Sequence, residues 1–204
     1  RVLVHEDASL PLETRVVLAS ASLSPDLSGL LGITLGLTPE QAALALSPVL
    51  QRQVAAACPA VPGRLARRCD ERGWADLRQR LPSVLAAALV DADDRLTVEI
   101  LEWACQDREL AGRVAGAVRA TGPARAGVAR PRALALFLDG CADPAGDAAL
   151  RALSLPPPVQ WMAALELAGR PDVPDAGDAP TLTAALLRYS ASISSSRTAE
   201  PSSP

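Results

Sequence analysis

The chain has 204 residues, enough to bury a sizeable core, and its formal charge of −3 excludes both a strongly basic nucleic-acid binder and an acidic tail protein. Apolar residues make up 49% and aromatics only 2%, so the chain is not globally disordered and its core must be aliphatic. Leu and Ala favour helix while Ile, Thr, Tyr and Phe are scarce, and composition therefore predicts an all-α fold.

Residues 1–8 read as an extended N-terminal segment, and residues 1–4 are the only candidate strand. The single histidine lies there, in His5-Glu6-Asp7. Adjacent side chains do not converge on one ion, so this triplet reads as an exposed chain end rather than a metal site.

A helical region is expected over 9–189. Its first helix covers 10–22, after Ser9. Ser24-Pro25-Asp26 and Thr38-Pro39-Glu40 then repeat one pattern. The hydroxyl caps free backbone N–H groups, proline takes the first helical position, and the acid faces the positive end of the dipole. Gln41 completes a capping box with Thr38. These signals start helices at 25–35 and 39–57; Ser47-Pro48 either kinks the second or splits it in two. In and just after the helix at 25–35, Gly29, Gly32 and Gly36 fall near one face, which predicts either close approach of another helix or a loosely helical segment. A phosphate loop is excluded there, because no Gly-Lys-Ser/Thr follows.

Cys58-Pro59 stops the third helix, and 61–72 forms the next, closed by Gly73. A short piece at 74–80 precedes a helix at 82–90 opened by Pro82. Asp91-Ala-Asp-Asp94 resembles the start of a calcium loop. The sixth position is Leu96 instead of glycine, and although Glu102 stands at the twelfth, Arg95 interrupts the loop. The better reading is a turn in which Asp94 caps an amphipathic helix at 95–106, with Leu96, Ile100 and Trp103 on its apolar face. Helices follow at 109–120, 131–139 (stopped by Gly140), 145–153, 159–168 and, after a loop at 170–179, at 180–189. The Ser-rich residues 190–204 predict a disordered tail. The sum is ten to twelve short antiparallel helices, arranged as an α-solenoid of HEAT-type hairpins or as an irregular bundle.

No lysine occurs, so every one of the 20 basic residues is arginine. A GC-rich coding bias accounts for this together with the abundant alanine. Arg64, Arg67, Arg68 and Arg72 form one cluster, with Arg78 and Arg80 close behind. Arg113, Arg119, Arg125, Arg130 and Arg132 form another, within twenty residues that hold no acid. These are the candidate basic interaction surface; read plainly, they are a solvated face in a chain whose acids sit elsewhere. Cys58, Cys69, Cys105 and Cys141 lack zinc-knuckle or redox spacing and read as small buried hydrophobes in a reducing compartment, cytoplasmic or nuclear. With one histidine, no cysteine or serine nucleophile has a plausible base, so no catalytic, cofactor or metal residue is assigned. Trp74, Trp103 and Trp161 read as anchors of a core or interface. No apolar run is long enough to span a bilayer. The start at Arg1, not Met, reads as a fragment of a longer protein. The expectation is a non-enzymatic scaffold or adaptor subunit with protein partners; the alternative is a nucleic-acid-associated subunit using the arginine-rich surface.

Overall fold

The computed structural model describes residues 9–57, 71–121, 129–145, 148 and 157–168. Helix is the only regular structure among them, and the all-α expectation holds. Nine helices are defined there: α1 (Leu12–Ser22), α2 (Pro25–Leu35), α3 (Pro39–Leu46), α4 (Pro48–Ala56), α5 (Glu71–Asp91), α6 (Asp94–Ala104), α7 (Arg108–Thr121), α8 (Ala129–Ala142) and α9 (Pro157–Ala168). The segment 1–8, the expected helix at 180–189, the loop at 170–179 and the tail at 190–204 lie outside the described residues, as do most of 61–72 and 145–153. The chain forms two compact units, Arg1–Leu85 and Ala86–Pro204, divided within α5.

In the first unit α1, α2 and α4 all pack on α3. The sequence of α3 explains its central place: Ala42, Ala43, Leu44, Ala45 and Leu46 are buried in succession, so it has no polar side to turn outward over that turn. Its ends are set locally. The Gln41 N–H donates to Thr38 Oγ1 at 3.4 Å and the Thr38 N–H donates to Gln41 Oε1 at 2.8 Å, the reciprocal capping box. The Leu27 N–H likewise donates to Ser24 Oγ at 3.1 Å to open α2. Ser47-Pro48 splits its helix instead of kinking it. Ser47 leaves the helical conformation, ends α3 and accepts the Leu50 N–H as the cap of α4.

The glycines of α2 require a correction. Gly29 is exposed, and a Cβ added to it would meet nothing within 4 Å, so no helix approaches there. Gly36 instead ends the helix at φ 68°, its N–H donating to Gly32 O at 3.0 Å. That left-handed turn is one glycine adopts without steric penalty.

α5 also departs from expectation. It runs unbroken through Gly73 and Pro82, where a stop and a new start were expected. An interior proline removes one helical hydrogen bond and costs roughly 3 kcal/mol. Leu81, Leu85, Ala86 and Leu89 are all buried along one stripe, and burying three leucines contributes about 1.5–3 kcal/mol each, which offsets the loss.

In the second unit α6 packs on α7, α7 on α8, α8 on α9 and α9 on α6, a cyclic order of neighbours. Asp93, not Asp94, caps α6, its Oδ1 accepting the Leu96 N–H at 2.8 Å. Thr97, Ile100, Leu101, Trp103 and Ala104 are buried, while Leu96 is only partly so. α8 continues past Gly140, which is itself buried, to Ala142. The start of α7 lies against its end: a Cβ on Gly112 would stand 3.5 Å from Ala142 Cβ. Cys141 in this last turn is disulfide-bonded to Cys105 in the turn after α6, with Cα atoms 5.3 Å apart. The reading of these two cysteines as separate buried hydrophobes is thereby corrected. Cys58 and Cys69 lie outside the described residues.

Two measurements test these assignments. In urea unfolding, Gly36→Ala should destabilise by roughly 1–2 kcal/mol through its left-handed backbone, whereas Gly29→Ala should stabilise by up to about 1 kcal/mol. Replacing Cys105 and Cys141 together by serine opens a covalent loop with a sequence separation of 36 and should lower stability by about 2–4 kcal/mol.

Candidate functional site

The densest polar cluster among the described residues is built around Arg130, in the first turn of α8. Its chemistry begins with a shortage. The last carbonyls of a helix have no partner within the helix, and α5 ends at Asp91 with nothing but a two-residue link before α6. Arg130 supplies the donors. Its Nε donates to Leu89 O at 3.3 Å and Nη2 to Ala92 O at 2.6 Å. Nη2 also donates to Thr97 Oγ1, which in turn donates its own proton to Asp93 O at 2.7 Å. Nη1 reaches Asp94 Oδ1 at 3.3 Å. The guanidinium carbon stands 5.7 Å from the ring centroid of Trp161 on α9, within cation–π range.

One planar fork therefore ties the end of α5, the start of α6 and the middle of α9 to α8. Its charge sits at the negative end of the α5 dipole, and Asp93 and Asp94 stand at the positive end of α6. The side chain is 23% exposed, so these bonds are only partly screened by water. Trp161 is 1% exposed, and among the described residues its Nε1–H has no hydrogen-bond partner. Its buried ring contributes area and the cation–π face, which makes it a core anchor.

Arg132, two residues on, serves another helix end: Nη1 donates to Ala168 O at 3.1 Å, the last residue of α9. Arg119 on α7 pairs with Asp139 on α8. Arg113 pairs with Glu109 one turn back, at 4.0 Å. Arg80 pairs with Asp76 at 3.6 Å on α5, and Arg78 Nε donates to Trp74 O at 3.4 Å. The structure thus brings Arg130 and Arg132 together as caps, and it engages Arg113 and Arg119 with neighbouring acids. Arg125, Arg64, Arg67 and Arg68 lie outside the described residues, and Arg72 is placed only by its backbone in α5.

The calcium-like acidic run resolves into helix capping and the Arg130 tie. Among the described residues no group of three or more His, Cys, Asp or Glu is arranged to hold a metal ion. His5-Glu6-Asp7 lies outside them. No single described helix is long and apolar enough to cross a membrane; α1 and α2 reach that length and composition only as a pair bent by 101°. Comparison with known proteins finds no matching family, no matching curated protein and no matching solved structure.

The capping role was hidden in the sequence, because the groups Arg130 serves lie 33–41 residues away. The one local hint is an arginine opening a helix, where a cation is unfavourable to its own dipole.

Arg130→Ala strands the Leu89 and Ala92 carbonyls and should cost about 2–4 kcal/mol in urea unfolding. Arg130→Lys keeps the charge but not the fork and should recover less than about half of that. Arg113→Ala, an exposed pair within one helix, should change stability by less than about 0.5 kcal/mol.

Proposed function

We propose that the chain is a non-enzymatic helical scaffold or adaptor subunit that mediates protein–protein interactions in a larger complex. The observation that carries this reading is the outer face of α2. Residues 27–39 hold no charged side chain, and Ile33 in their midst is 89% exposed. Leu30 and Leu37, three and four residues from it, are only partly covered, and Val17 on α1 is exposed as well. A charge-free apolar stretch that leaves a large aliphatic side chain in the open is what a partner surface covers, whereas single scattered aliphatics need no explanation.

The cyclic packing of α6, α7, α8 and α9 supports a compact bundle in that unit over an open stack of HEAT-type hairpins, in which each unit touches only its neighbours. The nucleic-acid alternative draws on the arginine cluster. Pairing of Arg113, Arg119 and Arg130 with Glu109, Asp139 and Asp94 weighs against it, since phosphate would have to displace those acids.

The test is co-purification of the tagged chain from its native lysate at moderate salt, wild type beside Ile33→Ser. Stoichiometric protein partners that are lost in the variant, with its helical circular dichroism and melting unchanged, support the adaptor reading. Identical recovery from both proteins removes the α2 face from it. Recovery of nucleic acid alone, falling steeply with salt, transfers the reading to the arginines.

A further inference from the structure

The Cys105–Cys141 bond joins two very different surroundings. Cys105 ends α6, its N–H donating to Leu101 O at 2.9 Å, and it sits half-buried in the turn at 105–107. Cys141 lies in the last turn of α8 and is 4% exposed. Thiol–disulfide exchange requires an incoming sulfur to reach one of the two bonded sulfurs, so access decides which of them reacts.

We propose that this pair is a redox-sensitive clasp in which Cys105 is the entry sulfur and Cys141 the resolving one. In the closing direction the Cys105 thiolate attacks a small-molecule disulfide. A mixed disulfide forms on Cys105 and one thiolate leaves. The Cys141 thiolate then attacks Cys105 Sγ and expels the second thiolate. Two electrons and two protons pass from the two cysteines to the oxidant, which departs as two thiols. Opening reverses the order: an external thiolate attacks Cys105 Sγ, Cys141 leaves as its thiolate, and a second thiol completes the reduction. Reducing thiol pools drive the pair open and oxidising ones drive it closed.

The fold gives the clasp something to hold. The bond pins the end of α8 to the turn that feeds α7, where the two helices already come close at Gly112 and Ala142. The Arg119–Asp139 pair also joins these helices and remains when the bond is cut. Reduction therefore releases the end of α8 beyond Asp139 and leaves the arginine ties at its first turn in place.

The experiment uses the full chain, oxidised glutathione as the probe and peptide mapping as the readout, so that each cysteine is followed separately. In folded Cys141→Ser, glutathione should add to Cys105. In folded Cys105→Ser, Cys141 should react at least tenfold more slowly, and at an ordinary rate once denatured. Should either variant fail to fold, the wild type decides: after reduction by dithiothreitol without denaturant, Cys105 should alkylate at least tenfold faster than Cys141. Amide hydrogen exchange over residues 140–142 should rise at least tenfold on reduction, while α3 is unchanged. Equal reactivity of the two cysteines overturns the entry assignment. Exchange at 140–142 that ignores the redox state overturns the clasp, as does mapping that finds Cys105 and Cys141 unlinked after oxidation.

Discussion

A core made of leucine, alanine and valine holds helices together without telling them how to lie, because one aliphatic face fits another nearly as well. With a single Phe and three Trp in 204 residues, this chain has few large side chains whose shape could fix a register. The arrangement of its second unit rests instead on polar ties that reach helix ends. The Arg130 fork is the chief one. Carbonyls at the end of α5 accept only from a donor at the right place and angle, so satisfying Leu89 O and Ala92 O also sets where α8 begins. Arg132 applies the same constraint to the end of α9. Buried leucines supply adhesion, and unpaired backbone oxygens supply direction.

The first unit reaches order by a more local route. Ser24, Thr38 and Ser47 each begin a helix with their own hydroxyl, and Pro25, Pro39 and Pro48 each follow with a preset φ. α3 then needs no distant tie, since its run of buried Ala and Leu makes it the place where α1, α2 and α4 meet. What remains outside that packing is the exposed Ile33 side of α2, and the adaptor proposal starts from that remainder.

This contrast also explains how much could be read from the sequence. The caps of α2 and α3 are matters of three or four neighbouring residues and were legible in full. Helix type in the described residues was legible from composition. Pro82 misled because a propensity rule weighs one residue, whereas the stripe from Leu81 to Leu89 outweighs it only when burial is known. Gly140 misled in the same way, buried inside a helix that continues to Cys141 and Ala142. Asp93 and Asp94 differ by one step in a run where either could cap, and only the geometry chooses. The arginines and cysteines carry the general lesson. Their identities stand in the sequence, but Arg130 meets partners more than thirty residues away, and equal spacings of 36 on either side of Cys105 favour no pairing.

The bond between Cys105 and Cys141 has a topological consequence. All of α7, and α8 up to its penultimate residue, lie within the closed ring of chain that the two sulfurs complete. Hydrolysis of one peptide link inside that ring does not divide the molecule, since both fragments stay tethered through sulfur. A nicked protein would migrate as one species until a reductant is added, and its α7 and α8 would remain neighbours after the chain between them had been cut.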